Sequence, residues 1–546
     1  MKFTEIARCA IQAAQPVIWI RTHENIEAKS ELDRLFAGFQ KMDVYFWDCV
    51  RGLTLLDKKK QVLKSVIAEK PSSDIFGNSS QAMPLTAAIN HFAALTCSEP
   101  DTAAEAAVLI VDNFHHHSND PAVVQVIQNF TATTRKIAAS IVLLAHYDQV
   151  VMSDLRSYAT VIDHDLPDLS DLVTIFSSLL AVKNPTTQAV LKQFNAADKE
   201  RISESGLGLS RLQFESEASF ALAHLNSNID SITTVQDAVT HLASTIQERK
   251  ATLFNSEGLI QITSSLVKRE EIGGAEGLVE LVKKRFSRTH TRHRKDRNPR
   301  GLILLGPPGT GKTTLCKAIA NMLGLLMVTV DVGSLKQGVV GASEGRIRRM
   351  FQILKAMRRI VVFIDEIEKV FPTGNELDSG VSADQLTVWL TNLSDPDRLY
   401  YVVASANQCN KLPAPLLRSG RFDGIVMVDL PKQAQQKKIW ALCREKFGIS
   451  ADDPLPSHHK WTGAEIEGCC DAADAMGIPL RAAAKLIVPV STLNPDEIEK
   501  VQNYAKNRAI DAETGEIYVG YSEEPQPVVS SPGSRRVIGN LKPEEN

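Results

Sequence analysis

"LILLGPPGTGKTT" (302–314) sets four apolar residues, a glycine-bounded loop and a helix-forming run in immediate succession. Gly306, Gly311, Lys312 and Thr313 fit the pattern G-x-x-x-x-G-K-[ST] at every position. A buried strand running into such a loop and then a helix is the unit from which parallel sheets are wound, so this stretch fixes the fold class as α/β. Backbone N–H groups from Gly309 to Thr313 stand at the head of that helix. They can face phosphate oxygens because glycine tolerates the backbone angles required. Lys312 would supply a mobile cation for the β- and γ-phosphates of a nucleoside triphosphate and Thr313 a hydroxyl for Mg2+. Pro307, Pro308, Thr310 and Thr314 complete the nucleotide cradle.

Outward from that loop, apolar runs of strand length alternate with longer helix-like segments, the pattern of a parallel sheet. They are "GLILLG" (301–306), "LMVTVD" (326–331), "IVVFID" (360–365), "YYVVAS" (400–405) and "IVMVDL" (425–430). The N-terminal half has its own five: "PVIWIR" (16–21), "VYFWDC" (44–49), "AVLIVD" (107–112), "SIVLLA" (140–145) and "ATVIDH" (159–164). Each third run ends in Asp, at Asp112 or Asp365. Strand order therefore predicts tandem P-loop-type parallel-sheet domains, each followed by a small helical lid. The expected boundaries are 1–167, a degenerate α/β domain without a phosphate loop; 168–250, lid-like helices; 251–431, the nucleotide-binding α/β domain; and 432–495, its lid. Residues 496–546 form a C-terminal extension ending in a polar tail rich in Pro and Ser, the composition of a disordered segment.

The first copy is degenerate at the loop itself. "HENIEAKS" (23–30) has Lys29 and Ser30 at the required spacing, but His23 and Ala28 replace the glycines. Asp112 is followed by Asn113 instead of a second acid. Lys29 and Ser30 are read as belonging to the exposed face of a helix, with Asp33 at the favourable i, i+4 spacing.

In the second copy "VVFIDEIE" (361–368) ends a buried strand in two acids, an unfavourable ending unless a cation waits there. Asp365 would help hold Mg2+ and Glu366 would polarise the attacking water as general base. The next strand runs into Asn407, whose amide could hold that water. "LLRSGRFDG" (416–424) presents Arg418 and Arg421, and phosphoryl transfer gains strongly from an arginine that meets the γ-phosphate. Since their own site carries the acids, these arginines are expected to serve a neighbouring subunit.

"GPPGTGKT", "IDEIE", "SAN" and "LRSGRFD", in this order and spacing, resemble the AAA family of ATPases over about residues 268–490. The resemblance implies that Ile272 and Gly273 of "EEIGGAEGL" flank the adenine, as do Gly463 and Ala464 of "TGAEIEGCCDAA". It also implies a ring, commonly a homo-hexamer, with Arg418 and Arg421 acting across the subunit interface. "DVGSLKQGVVGASEGRIRRMF" (331–351), "VLIVDN" and "DHDLPDLSDL" resemble the plastid and cyanobacterial hypothetical chloroplast reading-frame type, whose first domain lacks a P-loop. One departure stands out. Val339 occupies the place where many AAA unfoldases carry a pore aromatic, so a peptide would be gripped poorly there.

Composition narrows the alternatives. The 546 residues are 44% hydrophobic and 23% charged with a net charge of -3, as in ordinary soluble globular proteins, and give no whole-chain case for nucleic acid. No apolar stretch approaches the ~18 residues of a membrane span. Glu5 and Arg8 interrupt any secretory leader, so a cytoplasmic protein is expected, with its eight cysteines reduced. The run His115, His116, His117 reads as a solvated loop before a metal site. Residues 283–300 hold nine Lys or Arg and Phe286, a candidate nucleic-acid contact weighed against a solvated helix and loop. The leading reading is a Mg2+-dependent ATPase ring that rearranges a protein client. A nucleic-acid motor or loader, and a slow nucleotide-dependent switch or scaffold, are the alternatives.

Overall fold

The computed structural model describes the chain except residues 1–2, 40, 58–61, 66–82, 98–104, 134–136, 148, 150, 181–187, 229–233, 264–266, 288–297, 337–341, 372–379, 409–410, 419 and 522–546. Val339, most of the basic stretch and the polar tail therefore lie outside the described residues. Two compact units divide the rest. The first holds residues 1–269, 283–303 and 316–424; the second holds 270–282, 304–315 and 425–546.

The first unit opens with a seven-stranded sheet. Its strands are β1 (Val17–Thr22), β2 (Met42–Asp48), β3 (Gly52–Asp57), β4 (Val62–Ser65), β5 (Ala106–Val111), β6 (Ala138–His146) and β7 (Ala159–Asp163), in the order β4-β3-β2-β5-β6-β1-β7. From β2 to β7 every neighbouring pair is parallel. Such strands are buried on both faces and read as near-continuous apolar runs, which is why all five were legible. Side-chain alternation sorts them into two cores. Trp19, Leu109 and Leu143 join the cluster under helices Leu85–Cys97 and Pro121–Ala132, whereas Ile20, Ile110 and Leu144 join the one under Phe3–Gln12 and Asn25–Ala37. The five-strand expectation is incomplete here, because β3 and β4 add an antiparallel hairpin beyond β2.

The same unit continues with β8 (Ile260–Thr263), β9 (Gly301–Leu305, its last two residues in the second unit), β10 (Leu326–Val330), β11 (Ile360–Ile364) and β12 (Tyr401–Ala406). Their order is β9-β12-β11-β10-β8. β8 is an antiparallel edge that lies outside the five apolar runs of this half. In the second unit the order runs β14-β13-β9, with β13 (Gly424–Met427) and a two-residue β14 (Ile510–Asp511).

Counted along each half, the first four parallel strands lie 2-3-4-1 in both sheets. The likeness extends to one backbone detail. The residue after each third-strand Asp adopts a left-handed conformation, Asn113 at φ 50° and Glu366 at φ 48°, and each leads into a single 3-10 turn. Positive φ costs a non-glycine residue about 1 kcal/mol or more, and such strain gathers at functional turns.

Helices Leu169–Leu180, Ala196–Ser205, Arg211–Ser227 and Val235–Glu257 follow the first sheet. Helix Ala342–Met357 packs against this half: Gln352 Nε2 donates to His164 O at 3.0 Å from a buried position, and Arg349 pairs with Glu257 at 2.9 Å. Among the described residues no single helix is long and apolar enough to cross a membrane.

Lys250, in the last of those helices, is buried and donates to Leu207 O at 3.2 Å. Burial pushes its ammonium down to about 8. The folded value lies below the unfolded one, so the unfolded chain binds more protons between about pH 8 and 10.5, and stability rises with pH across that window. Lys250→Met is expected to raise unfolding free energy at pH 7 by on the order of 3 kcal/mol. Urea unfolding from pH 7 to 10.5 should show that gain shrinking as pH rises.

Candidate functional site

The predicted site residues fall into two groups, each within one unit. In the second unit the chain leaves β9 at Leu305, where Val428 N donates to the Leu305 carbonyl at 2.7 Å, and turns through the loop into helix Lys312–Leu323. Gly309 and Gly311 take φ of 78° and 86°, the left-handed region that glycine enters at little cost. Lys312 is buried, and its ammonium donates to Gly306 O at 2.9 Å and Pro307 O at 2.8 Å, so it is folded back on its own loop. Thr310 Oγ1 donates to Pro307 O at 2.9 Å, closing the turn. Thr313 and Thr314 are exposed on the first turn of the helix, whose leading N–H groups have no partner within the helix itself.

The lid meets this loop within the same unit. Ala464 N donates to Gly309 O at 3.1 Å, and a Cβ added at Gly463 would meet that carbonyl at 3.8 Å. Helix Gly463–Met476 begins with a capping box between Thr462 and Glu465, a T-x-x-E pattern legible in the sequence. Gly273 lies so close to Ile439 that a Cβ would come within 2.6 Å of its Cγ1, and Ile272 precedes it half-buried. Gly273, Gly309, Gly463 and Ala464 are thus drawn around the second unit's lid.

Sequence reading missed what holds the Gly273 segment. Residues 505–521, treated only as an extension, fold back across it. Gly277 N and Leu278 N donate to Glu513 O and Ala512 O at 2.9 and 2.8 Å. The Glu513 carboxylate accepts from Ala275 N at 2.9 Å and from Gln435 Nε2 at 2.5 Å, and burial pushes this carboxyl up. Asp429, two residues past the end of β13, is gripped by Tyr518 Oη and by Gln502 Nε2.

The second group sits at the ends of β11 and β12 in the first unit. Asp365 is exposed and Glu366 half-buried. One hydroxyl links both acids to the neighbouring strand: Ser405 Oγ donates to Asp365 Oδ1 at 2.5 Å and accepts from Glu366 N at 2.8 Å. Asn407 Nδ2 donates to Glu366 Oε1 at 3.0 Å, and Asn407 Oδ1 is buried with no protein hydrogen-bond partner among the described residues. Glu368 is buried, and its Oε1 accepts from Asn407 N at 2.9 Å and Gln408 N at 3.2 Å. Lys369 pairs with Glu366 from an exposed position. Burial first, and then the Asp365 charge, push the neighbouring Cys316 thiol up. Ser405 and Glu368 went unassigned in the sequence, although a lone hydroxyl in "YVVASA" and a third acid in "DEIE" were the available signals.

Arg418 is exposed. Arg421 bends back on its own chain, donating from Nε to Ser394 Oγ at 2.8 Å and from Nη1 to Pro415 O. Its carbonyl, with those of Arg300 and Leu393, is held by the buried Arg398 guanidinium. The described part of the basic stretch is similarly engaged. Arg285 pairs with Asp423 at 3.0 Å, and Phe286 packs edge-on against Tyr401 at 5.0 Å, which removes that ring from stacking on a base.

The matching place in the N-terminal half is filled by its own side chains. Lys29 is not on an exposed face as expected: it is half-buried, its ammonium 3.9 Å from Asp112 Oδ2 and 4.7 Å from the Phe46 ring centre. The helix turns it inward because β5 delivers an acid there. Asn25 Nδ2 donates to Asn113 Oδ1 at 2.5 Å, and His23 packs on Tyr147 at 4.7 Å. Among the described residues no cluster of His, Cys, Asp or Glu could hold a metal ion, the three successive histidines included.

Comparison with known proteins follows this division. Residues 302–430 match the model of the ATPase family associated with various cellular activities (AAA), and residues 3–164 that of the SpoVK-like AAA ATPase N-terminal domain. The chain is similar to the AAA domain-containing protein ycf46 of Guillardia theta, 25% identical over 92% of this chain and 95% of that protein. The ycf46 protein of Trieres chinensis is 26% identical over 93% and 98%. The peroxisomal ATPase PEX6 of Yarrowia lipolytica is 30% identical over 50% of this chain but only 29% of its own length.

A methyl group on Gly309 would sit 2.9 Å from Thr462 Oγ1 in a backbone conformation that side chains avoid. Gly309→Ala is expected to cost about 1–3 kcal/mol and to weaken adenine-nucleotide binding roughly tenfold or more. Thermal melts with and without nucleotide check both effects.

Proposed function

We propose that the chain, whose residues 302–430 match the AAA-family ATPase model, is a Mg2+-dependent ATP hydrolase that works as a ring and couples turnover to rearranging a protein partner. The observation that carries this reading is the loop from Gly306 to Thr313, whose lysine now spends its charge on two carbonyls of its own loop. A phosphate offers that ammonium a stronger, charge-assisted partner, and the N–H groups at the helix head suit the remaining oxygens.

Adenine would lie between Ile272–Gly273 and Gly463–Ala464, with Glu513 bracing the first of these walls. Thr313 and Asp365 have the oxygen donors that suit Mg2+, which when bound would neutralise charge on the β- and γ-phosphates. Glu366 takes a proton from the lytic water as its oxygen attacks the γ-phosphorus, and the bond to the ADP oxygen breaks. The buried Asn407 Oδ1, lacking a protein partner among the described residues, suits the second hydrogen of that water. Arg418 and Arg421 would serve the γ-phosphate of a neighbouring subunit. Arg421 must first exchange Ser394 and Pro415 for that partner, which makes ring assembly a condition of turnover.

Lys312→Ala is expected to abolish ATP binding in isothermal titration. Glu366→Gln should retain binding while phosphate release falls by at least about a hundredfold. Hydrolysis by Glu366→Gln at the normal rate would dismiss Glu366 as the base. Mixing inactive Arg421→Ala subunits with inactive Glu366→Gln subunits should restore part of the activity, since some interfaces then pair an intact base with an intact arginine. No recovery at any ratio would place the arginine's action within its own subunit.

A further inference from the structure

We propose that Glu368 is a positioning residue for hydrolysis, holding Asn407 where its amide meets the general base; this rests on the ATPase reading above. The argument starts from two backbone N–H groups. β12 ends at Ala406, and the N–H groups of Asn407 and Gln408 pass beyond the sheet ladder with no strand to receive them. Glu368 Oε1 accepts both, at 2.9 and 3.2 Å, from a side chain only 6% exposed. Two charge-assisted bonds to one carboxylate oxygen, shielded from water, fix the direction in which the Asn407 side chain leaves the strand.

That direction matters because the Asn407 amide donates to Glu366 Oε1 at 3.0 Å. Glu366 and Glu368 belong to one tight turn, entered through the left-handed Glu366 and closed by the 3-10 segment Ile367–Lys369. Base, amide and Glu368 therefore form a closed circuit: side chain of Glu366 to side chain of Asn407, backbone of Asn407 to side chain of Glu368, and two peptide units back to Glu366. Beyond the register that the Ile364–Ala404 pair and the Ser405 bridge give the two strands, that short circuit sets the spacing between the base and the amide. Glu368 touches no reacting atom. Its effect passes wholly through Asn407, so it should alter the chemical step and leave nucleotide capture alone.

The test is steady-state ATP hydrolysis by the full chain, with Lys312→Ala as background, for the wild type, Glu368→Ala, Glu368→Gln, Asn407→Ala and the double variant Glu368→Ala/Asn407→Ala. Glu368→Ala is expected to lower kcat roughly ten- to a hundredfold with KM for ATP within about threefold. Glu368→Gln keeps a carbonyl oxygen for both N–H groups and should recover the rate to within about fivefold of wild type. The double variant should be no more than about twofold slower than Asn407→Ala, because both act through one amide. Should Glu368→Ala fail to fold, Glu368→Asp, one methylene too short to reach both donors, takes its place. Wild-type kcat in Glu368→Ala, a loss carried by KM, equal losses in the Ala and Gln variants, or additive losses in the double variant would each overturn the assignment. Absence of Lys312-dependent turnover in the wild type would instead overturn the ATPase reading, and this inference with it.

Discussion

A parallel sheet that ends in acids has to hold those acids apart from one another and steady in register, and here a single hydroxyl does both. Ser405 lies fully buried at the end of β12 and reaches across to β11, giving its hydrogen to Asp365 and receiving the N–H of Glu366. A hydroxyl has one hydrogen to give and lone pairs to receive, so it can bridge a carboxylate and an amide that sit side by side. Alanine in this place would leave Asp365 without that donor and the strained Glu366 backbone without its tether. The rest of the acid row, Asn407 and Glu368 included, is arranged relative to these two points.

The two halves apply one plan to different ends. In both, the first strand turns into a helix and the third ends in Asp followed by a left-handed residue and a tight turn. In the second half the loop carries glycines and its lysine is folded onto the loop's own carbonyls, from which a ligand can withdraw it. In the first half the glycines are His23 and Ala28, and the lysine is turned toward Asp112. An ion pair of this length, half-screened by solvent, contributes little stability. Its importance lies in occupancy: the cation and the acid are each other's partner.

What could be read from the sequence followed from how each element is buried. The five parallel strands of each half show as unbroken apolar runs because helices cover both faces, and the phosphate loop shows because only glycine fits its angles. The hairpin β3–β4 escaped because "GLTLLD" and "VLKS" are short and mix polar residues into their apolar runs, as edge strands do. Lys29 was misplaced because the acid at its i, i+4 helical spacing, Asp33, is not the one it meets in space; Asp112 is brought by a strand more than eighty residues away. Ser405, Glu368 and Glu513 escaped for a shared reason. Each acts on the backbone of another segment, and a side chain's bond to a distant N–H leaves no spacing in the sequence to detect.

The strap formed by residues 505–521 carries a consequence for the order in which the protein is made. Ala275 finds the acceptor for its N–H in Glu513, 238 residues further along the chain. A ribosome delivers the first sheet, the phosphate loop and the acid row long before it delivers that carboxylate. Domains fold largely as they emerge, so the N-terminal half has its complete set of partners while the wall beside Gly273 still waits for its brace. The Gly273 segment is braced by nearly the last stretch of chain that the structure describes, and a nascent protein released early would have the loop from Gly306 to Thr313 in place yet lack that brace.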